Sequence, residues 1–204
     1  MFISFEGVNG AGKSTQIEIL KNNLEERGYA VTVTREPGGT KLAEKIREFI
    51  SQNPEMDKIT ELLLIFASRN EHFQNLIKPK SPKTIILCDR FYDSSLVFQG
   101  VLNGISISDI MMLKEMVLGD FEPDLTLVFD LSYKYATYRM SQRERTNDKY
   151  DKLNEEKFNI IRQAYLKLAS LFFNRCVVIP PSRTIEQTAN KVLDIVMKRI
   201  TKKF

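Results

Sequence analysis

The first fourteen residues restrict the fold more than any other stretch of the chain. A short apolar run, Phe2-Ile3-Ser4-Phe5-Glu6, passes directly into Gly7-Val8-Asn9-Gly10-Ala11-Gly12-Lys13-Ser14, which satisfies G-x-x-x-x-G-K-[S/T] at every fixed position. Glycines let the backbone curl so that successive N–H groups turn inward, and the helix that follows adds the partial positive charge of its N-terminus. Gly7, Val8, Asn9, Gly10, Ala11 and Gly12, continued by Lys13, Ser14 and Thr15, thus form a cradle for phosphate oxygens. Lys13 is expected to reach the β- and γ-phosphates of a nucleotide and Ser14 to ligate Mg2+. The fixed positions match by chance in roughly one in a hundred chains of this length, so context has to decide. Here the loop lies between a strand-like run and an amphipathic helix carrying Ile17, Ile19, Leu20 and Leu24, which is where the mechanism needs it and where an ordinary glycine turn has no reason to be.

Four further short runs rich in β-branched residues follow, at 30–34, 84–88, 125–130 and 176–180. Helical patterns alternate with them: one stopped by Gly28, one over 59–77 before Pro79, one over 108–118, one over 154–173, and a last one opened by Thr184-Ile185-Glu186-Gln187 as a capping box. Continuous apolar strands alternating with helices predict an α/β fold with a five-stranded parallel sheet and helices on both faces. Ligands then bind at the carboxyl ends of the strands. The informative residues fall there: the glycine loop, Arg35-Glu36-Pro37-Gly38-Gly39-Thr40, and Asp89-Arg90. A chain of 204 residues with no repeat or linker reads as one domain over 1–204. Its most polar stretch, within a lid at about 139–152, reads as a flap rather than a boundary.

Composition narrows the chemistry. The single histidine, His72, and two scattered cysteines, Cys88 and Cys176, leave no zinc site and no Ser-His triad, and both thiols sit in apolar runs as buried, reduced side chains. Residues 1–6 lack the features of a secretory signal and no apolar run reaches membrane-spanning length, so the expectation is a cytoplasmic protein without a membrane partner. A net charge of +4 suits polyanionic ligands. The basic residues are spread along the chain, however, and the terminal group Lys198, Arg199, Lys202 and Lys203 reads as a solvated helix end, not a nucleic-acid patch.

A phosphate loop alone fits switches, motors and kinases alike. No N-K-x-D motif for reading guanine is present. Instead a second set of arginines, Arg35, Arg47, Arg69 and Arg90, lies at or near strand ends away from the loop. Each taken singly could be a surface salt-bridge residue. Four that can line one crevice point to a second phosphorylated substrate, because guanidinium forks grip phosphate bidentately.

Thr34-Arg35-Glu36-Pro37-Gly38-Gly39-Thr40, Phe66-Ala67-Ser68-Arg69, residues 89–100 and residues 119–126 together resemble bacterial thymidylate kinases of the type with a basic lid. The resemblance implies a P-loop NTPase fold of the nucleoside monophosphate kinase kind, with strand order 2-3-1-4-5 and a homodimer. It implies transfer of the γ-phosphoryl group of ATP to dTMP with Mg2+. Arg90 and Arg47 would hold the acceptor phosphate, Arg69 the thymine edge, and Glu36 the sugar 3′-hydroxyl. Arg35, Pro37, Ser94, Ser95, Phe98 and Gln99 would complete the substrate pocket, with either Ile65 or Phe66 against the base. Ser14 and Asp89 would hold the metal, although Asp89 could instead cap a helix or pair with Arg90. Arg139 would join the ATP site, and one of Arg143, Arg145 or Lys149 would meet the γ-phosphate. The chain departs from the pattern at Asn9, where a carboxylate is usual, and at Phe98, where a tyrosine is usual. Other readings are a kinase for another nucleoside monophosphate or a nucleoside, and a nucleotide-binding switch.

Overall fold

The structure is a computed structural model, and it describes residues 1–142 and 153–203. Five strands, β1 (Phe2–Gly7), β2 (Val31–Arg35), β3 (Ile85–Asp89), β4 (Leu125–Phe129) and β5 (Cys176–Ile179), form one parallel sheet in the order β2-β3-β1-β4-β5. β1, at the centre, is buried along its whole length, and β4 likewise, whereas the edge strand β2 is mostly half-buried or exposed. That gradient explains the composition of the runs: a strand covered on both faces is continuously apolar, and an edge strand tolerates Thr32 and Arg35.

Eight helices join the strands among the described residues: α1 (Lys13–Glu25), α2 (Lys41–Gln52), α3 (Lys58–His72), α4 (Tyr92–Ser95), α5 (Ile107–Leu118), α6 (Tyr133–Ser141), α7 (Glu155–Leu171) and α8 (Ile185–Lys203). Two π-helical segments prolong α3 over Phe73–Ile77 and α4 over Leu96–Leu102. The capping box opens α8 as expected, Thr184 Oγ1 accepting from Gln187 N at 3.2 Å. Asn154 caps α7 by accepting from Lys157 N at 2.9 Å. Gly28 (φ 83°) lies in the turn just after α1. Three helices go beyond the patterns read from the sequence: α2, where Leu42, Ile46, Phe49 and Ile50 recur at helical spacing, α6, with a single fully buried residue, and the short α4.

The two faces of β1 differ in kind. Ile3 and Phe5 are wholly buried and apolar, while Ser4 and Glu6, equally buried, face the other way among polar partners. Ser4 Oγ meets Thr126 Oγ1 at 2.9 Å, and Thr126 Oγ1 meets Asp93 Oδ2 at 3.3 Å. Asp93 is in turn clamped by Arg175 at 2.6 and 2.8 Å. Parallel register sets the ends of three strands side by side, with Phe5 opposite Asp89 and Arg35 opposite Asp89. No helix among the described residues is long and apolar enough to cross a membrane.

Candidate functional site

Residues 7–14 turn tightly at the carboxyl end of β1, with Gly7, Gly10 and Gly12 all at positive φ (131°, 80° and 95°). A Cβ at Gly7 would stand 2.5 Å from the Phe129 carbonyl oxygen, so only glycine fits there. Lys13, at the first turn of α1, is buried and donates to the carbonyls of Gly7 and Val8 at 3.3 Å each. Its ammonium group therefore lies over the loop. Ser14 and Thr15 are exposed on the same turn. Arg139, from α6, closes the loop's other side by donating to the Ala11 carbonyl at 3.4 Å.

Ser14 Oγ donates to Asp89 Oδ2 at 3.0 Å, while Asp89 Oδ1 is buried without a hydrogen-bond partner. A hydroxyl beside a carboxylate with one oxygen left over is the donor set a hard divalent cation takes from a protein when phosphates and water supply the rest. The groups present fit such an ion. Among the described residues there is no cluster of three His, Cys, Asp or Glu that would hold a metal by itself.

Arg90 follows at once, in the left-handed region (φ 70°). Its Nη1 donates to Gly7 O at 3.0 Å, Tyr165 Oη at 3.1 Å and Ser94 Oγ at 3.3 Å, its Nη2 donates to Asn9 Oδ1, and its guanidinium lies 5.1 Å from the Phe98 ring centroid. The backbone carbonyl of Arg90 accepts from the Cys88 thiol at 3.0 Å. Beneath the guanidinium is Glu6, whose carboxylate accepts from Phe91 N at 2.7 Å, Ser94 Oγ at 2.6 Å and Tyr165 Oη at 3.2 Å. Burial, aided by the charge of Asp93, pushes the Glu6 carboxyl up to about 7 against the opposing pull of Ser94 and Arg90.

The loop after β2 builds the second wall. Its turn is fixed by Thr40, which caps α2 by accepting from Ala43 N at 3.2 Å, and by Ser68, which accepts from Gly38 N at 3.2 Å. Arg47 donates to the Pro37 carbonyl at 2.9 Å. Arg35 is exposed and forks onto Glu44 at 3.3 and 2.9 Å, the surface salt bridge that was the alternative for this residue. Glu36, expected at a sugar hydroxyl, is turned inward and almost wholly buried. Its Oε2 accepts from Arg69 Nε at 2.7 Å and its Oε1 pairs with His72 Nδ1 at 2.8 Å. Burial alone would raise the Glu36 carboxyl, but Arg69 and His72 outweigh it and hold the group below its ordinary value.

Arg69 lies with its guanidinium 4.5 Å from the Phe66 ring centroid, and its Nη1 is buried with no hydrogen-bond partner. Phe66 and Ile65 are both buried. Ser94, Ser95, Phe98 and Gln99 line the buried stretch where α4 passes into its π-helical extension, and Gln99 Nε2 donates to Glu61 Oε1 at 3.0 Å. The structure thus brings the loop, Ser14, Asp89, Arg90 and Ser94 into contact, and gathers Glu36, Arg69, Phe66 and Gln99 on adjoining elements. Arg143, Arg145 and Lys149 lie outside the described residues.

Glu6, Glu61, His72 and Tyr165 belong to the site as well, although the sequence does not single them out. Glu6 carries the same signal as Asp89, a carboxylate ending an apolar strand. The other three sit within helical patterns, where a polar residue reads as a solvated face.

The sequence model of a family described as thymidylate kinase matches residues 5–192. Thymidylate kinase of Mycoplasma capricolum is 40% identical over 204 residues, covering 98% of this chain and 96% of that protein. The enzyme of the same name from Ectopseudomonas mendocina is 43% identical over 191 residues, covering 92% and 90%. A crystal structure of thymidylate kinase from Ehrlichia chaffeensis superposes with a TM-score of 0.77 at 34% identity, covering 97% of this chain and 98% of that one.

Proposed function

The chain belongs to the thymidylate kinase family, and we propose that it transfers the γ-phosphoryl group of ATP to dTMP, giving dTDP and ADP, through two half-sites that meet between Lys13 and Arg90. The observation that carries the residue assignment is a pair of buried atoms left unpartnered on the two sides, Asp89 Oδ1 and Arg69 Nη1. Buried polar atoms are nearly always satisfied, and of the three left unpartnered among the described residues, Gln16 Oε1 being the other, these two lie in the site, where substrate or its ion would complete the bonding.

On the donor side the loop amides and Lys13 hold the triphosphate, with Thr15 and Arg139 at its margin. Ser14 and Asp89 would hold Mg2+, which supplies neutralisation of charge on the phosphate oxygens. On the acceptor side Arg90 and Arg47 take the dTMP phosphate, and Arg69, Gln99, Ser94, Ser95 and Phe98 take the nucleoside. The transfer needs alignment and charge stabilisation more than covalent help. The acceptor is already an anion, so no strong base is required. The surroundings of Arg90 favour an anion-binding role, since Asn9 accepts a hydrogen bond without bringing charge and the Glu6 carboxyl is driven toward its neutral form. Arg90 keeps positive charge to meet a phosphate.

The whole chain acts as one kinase domain whose lid, about residues 139–152, brings Arg143, Arg145 or Lys149 to the transferred group and excludes water. The free buried thiols fit the reducing cytoplasm. A homodimer has a surface to use: Ile59 and Leu63 of α3 and Met112 and Met116 of α5 are exposed on helices that pack together.

An ADP-release assay with ATP, Mg2+ and a panel of nucleoside monophosphates tests the assignment. dTMP should be the preferred acceptor. Turnover indifferent to any acceptor would remove the kinase reading, and a stronger response to dGMP or dCMP would remove the substrate.

A further inference from the structure

Two buried carboxylates stand behind the two side chains assigned to the base. Glu36 takes Arg69 Nε at 2.7 Å, and Glu61 takes Gln99 Nε2 at 3.0 Å. All four side chains are at most 3% exposed. An ionised carboxylate only accepts hydrogen bonds. The Gln99 amide must therefore turn its NH2 end to Glu61, which makes Oε1 the opposite end. Arg69 has no such freedom in kind, because a guanidinium only donates. With Nε spent on Glu36, its Nη1 remains buried and unpartnered.

We propose that Glu61 is a specificity-determining positioning residue, which locks the Gln99 amide with its oxygen toward the base and so sets an acceptor beside the Arg69 donor. This rests on the reading of Arg69 and Gln99 as base-facing. A donor beside an acceptor complements an imide edge, as in thymine, where O4 accepts and N3–H donates. Cytosine presents the reverse, a donating N4 amine and an accepting N3, and meets like against like at both positions. A buried site built to satisfy a particular hydrogen-bond polarity rejects a ligand that leaves its groups unpaired. Glu61 touches no reacting atom in this scheme. Without an acceptor-only group at position 61, Gln99 can turn over and still hydrogen-bond that side chain, and half of the pocket's polarity is no longer fixed by it.

The test compares kcat/KM for dTMP and dCMP in the full-length protein. Glu61→Gln keeps the shape but gives Gln99 a partner that can donate or accept. We expect kcat/KM for dTMP to fall about tenfold and the dTMP-to-dCMP ratio to fall at least as much. A merely structural role would depress both substrates alike, and an unchanged ratio in a folded variant overturns the proposal. The exchange variant Glu61→Gln/Gln99→Glu puts an acceptor-only group on the base side, and its ratio should return toward that of the parent protein. Failure to return overturns the proposal too. Should Glu61→Gln alone not melt cooperatively, the exchange variant decides by whether it retains the dTMP preference. Gln99→Leu separates the positioning role from the pocket assignment beneath it. If it leaves dTMP turnover untouched, Gln99 does not face the base. If it impairs dTMP while Glu61→Gln leaves the ratio unmoved, only the positioning role fails.

Discussion

Arg90 combines a backbone conformation that side-chain-bearing residues seldom adopt with the densest set of polar contacts in the site. Such a conformation costs on the order of 1–3 kcal/mol and persists where neighbours over-determine it. Here the Arg90 amide is held by the Phe5 carbonyl at 3.0 Å and its own carbonyl by the Cys88 thiol. The guanidinium is thus held already oriented against the glycine loop, through Gly7 and Asn9. Replacing Arg90 by Ala is expected to lower kcat about 100- to 1,000-fold while leaving ATP binding, measured by titration calorimetry, within a few fold. An equal loss of ATP affinity would count against an acceptor role. Arg90 was legible in the sequence because an Asp-Arg pair ended an apolar run. His72 was legible only as a lone histidine, and its part, joining Glu36 to the Thr34 hydroxyl at 2.7 Å, depends on residues more than thirty positions away in the chain.

At the scale of elements, β1, α4 and α7 meet at Glu6 through Ser94 and Tyr165. A carboxyl with its folded pKa above the ordinary 4.5 binds its proton more tightly in the native state. Its contribution to stability is complete at pH values below 4.5 and is lost as pH rises through about 7. Urea unfolding between pH 5 and 8 should show that decline, of order 2 kcal/mol, and Glu6→Gln should flatten it. A slope unaltered in the variant would place the titration elsewhere. The strand ends and the long helices could be read from apolar runs and caps. The π-helical turn over Leu96–Leu102 could not, since side-chain periodicity does not distinguish a locally widened helix, and it is this turn that carries Phe98 and Gln99. α2 is a different case: Leu42, Ile46, Phe49 and Ile50 form an apolar stripe at helical spacing that the sequence does carry, although the stripe lies largely at the surface, with Ala43 the one fully buried residue.

Across the whole molecule the glycine loop and Arg90 are tied to the helices that flank residues 143–152. Arg139 of α6 reaches the glycine loop, and Tyr165 of α7 reaches Arg90. The parallel architecture was legible because continuous apolar strands alternate with helices, whereas neither of these ties was, because each joins positions more than seventy residues apart. Dimer formation is checked at this scale as well. Met116 is 81% exposed on α5, and Met116→Asp should convert a dimer to a monomer in sedimentation velocity. A dimer that survives the change would exclude that face. The two thiols carry a different consequence. Burial drives Cys88 well above its ordinary value and Cys176 up to about 12, and these are the chain's only cysteines. Thiolates, not thiols, react with peroxides and alkylating agents. A kinase built this way offers alkylating agents no thiolate at neutral pH, and its turnover after exposure to iodoacetamide should match that of untreated protein, even though one of its thiols lies two residues from Arg90.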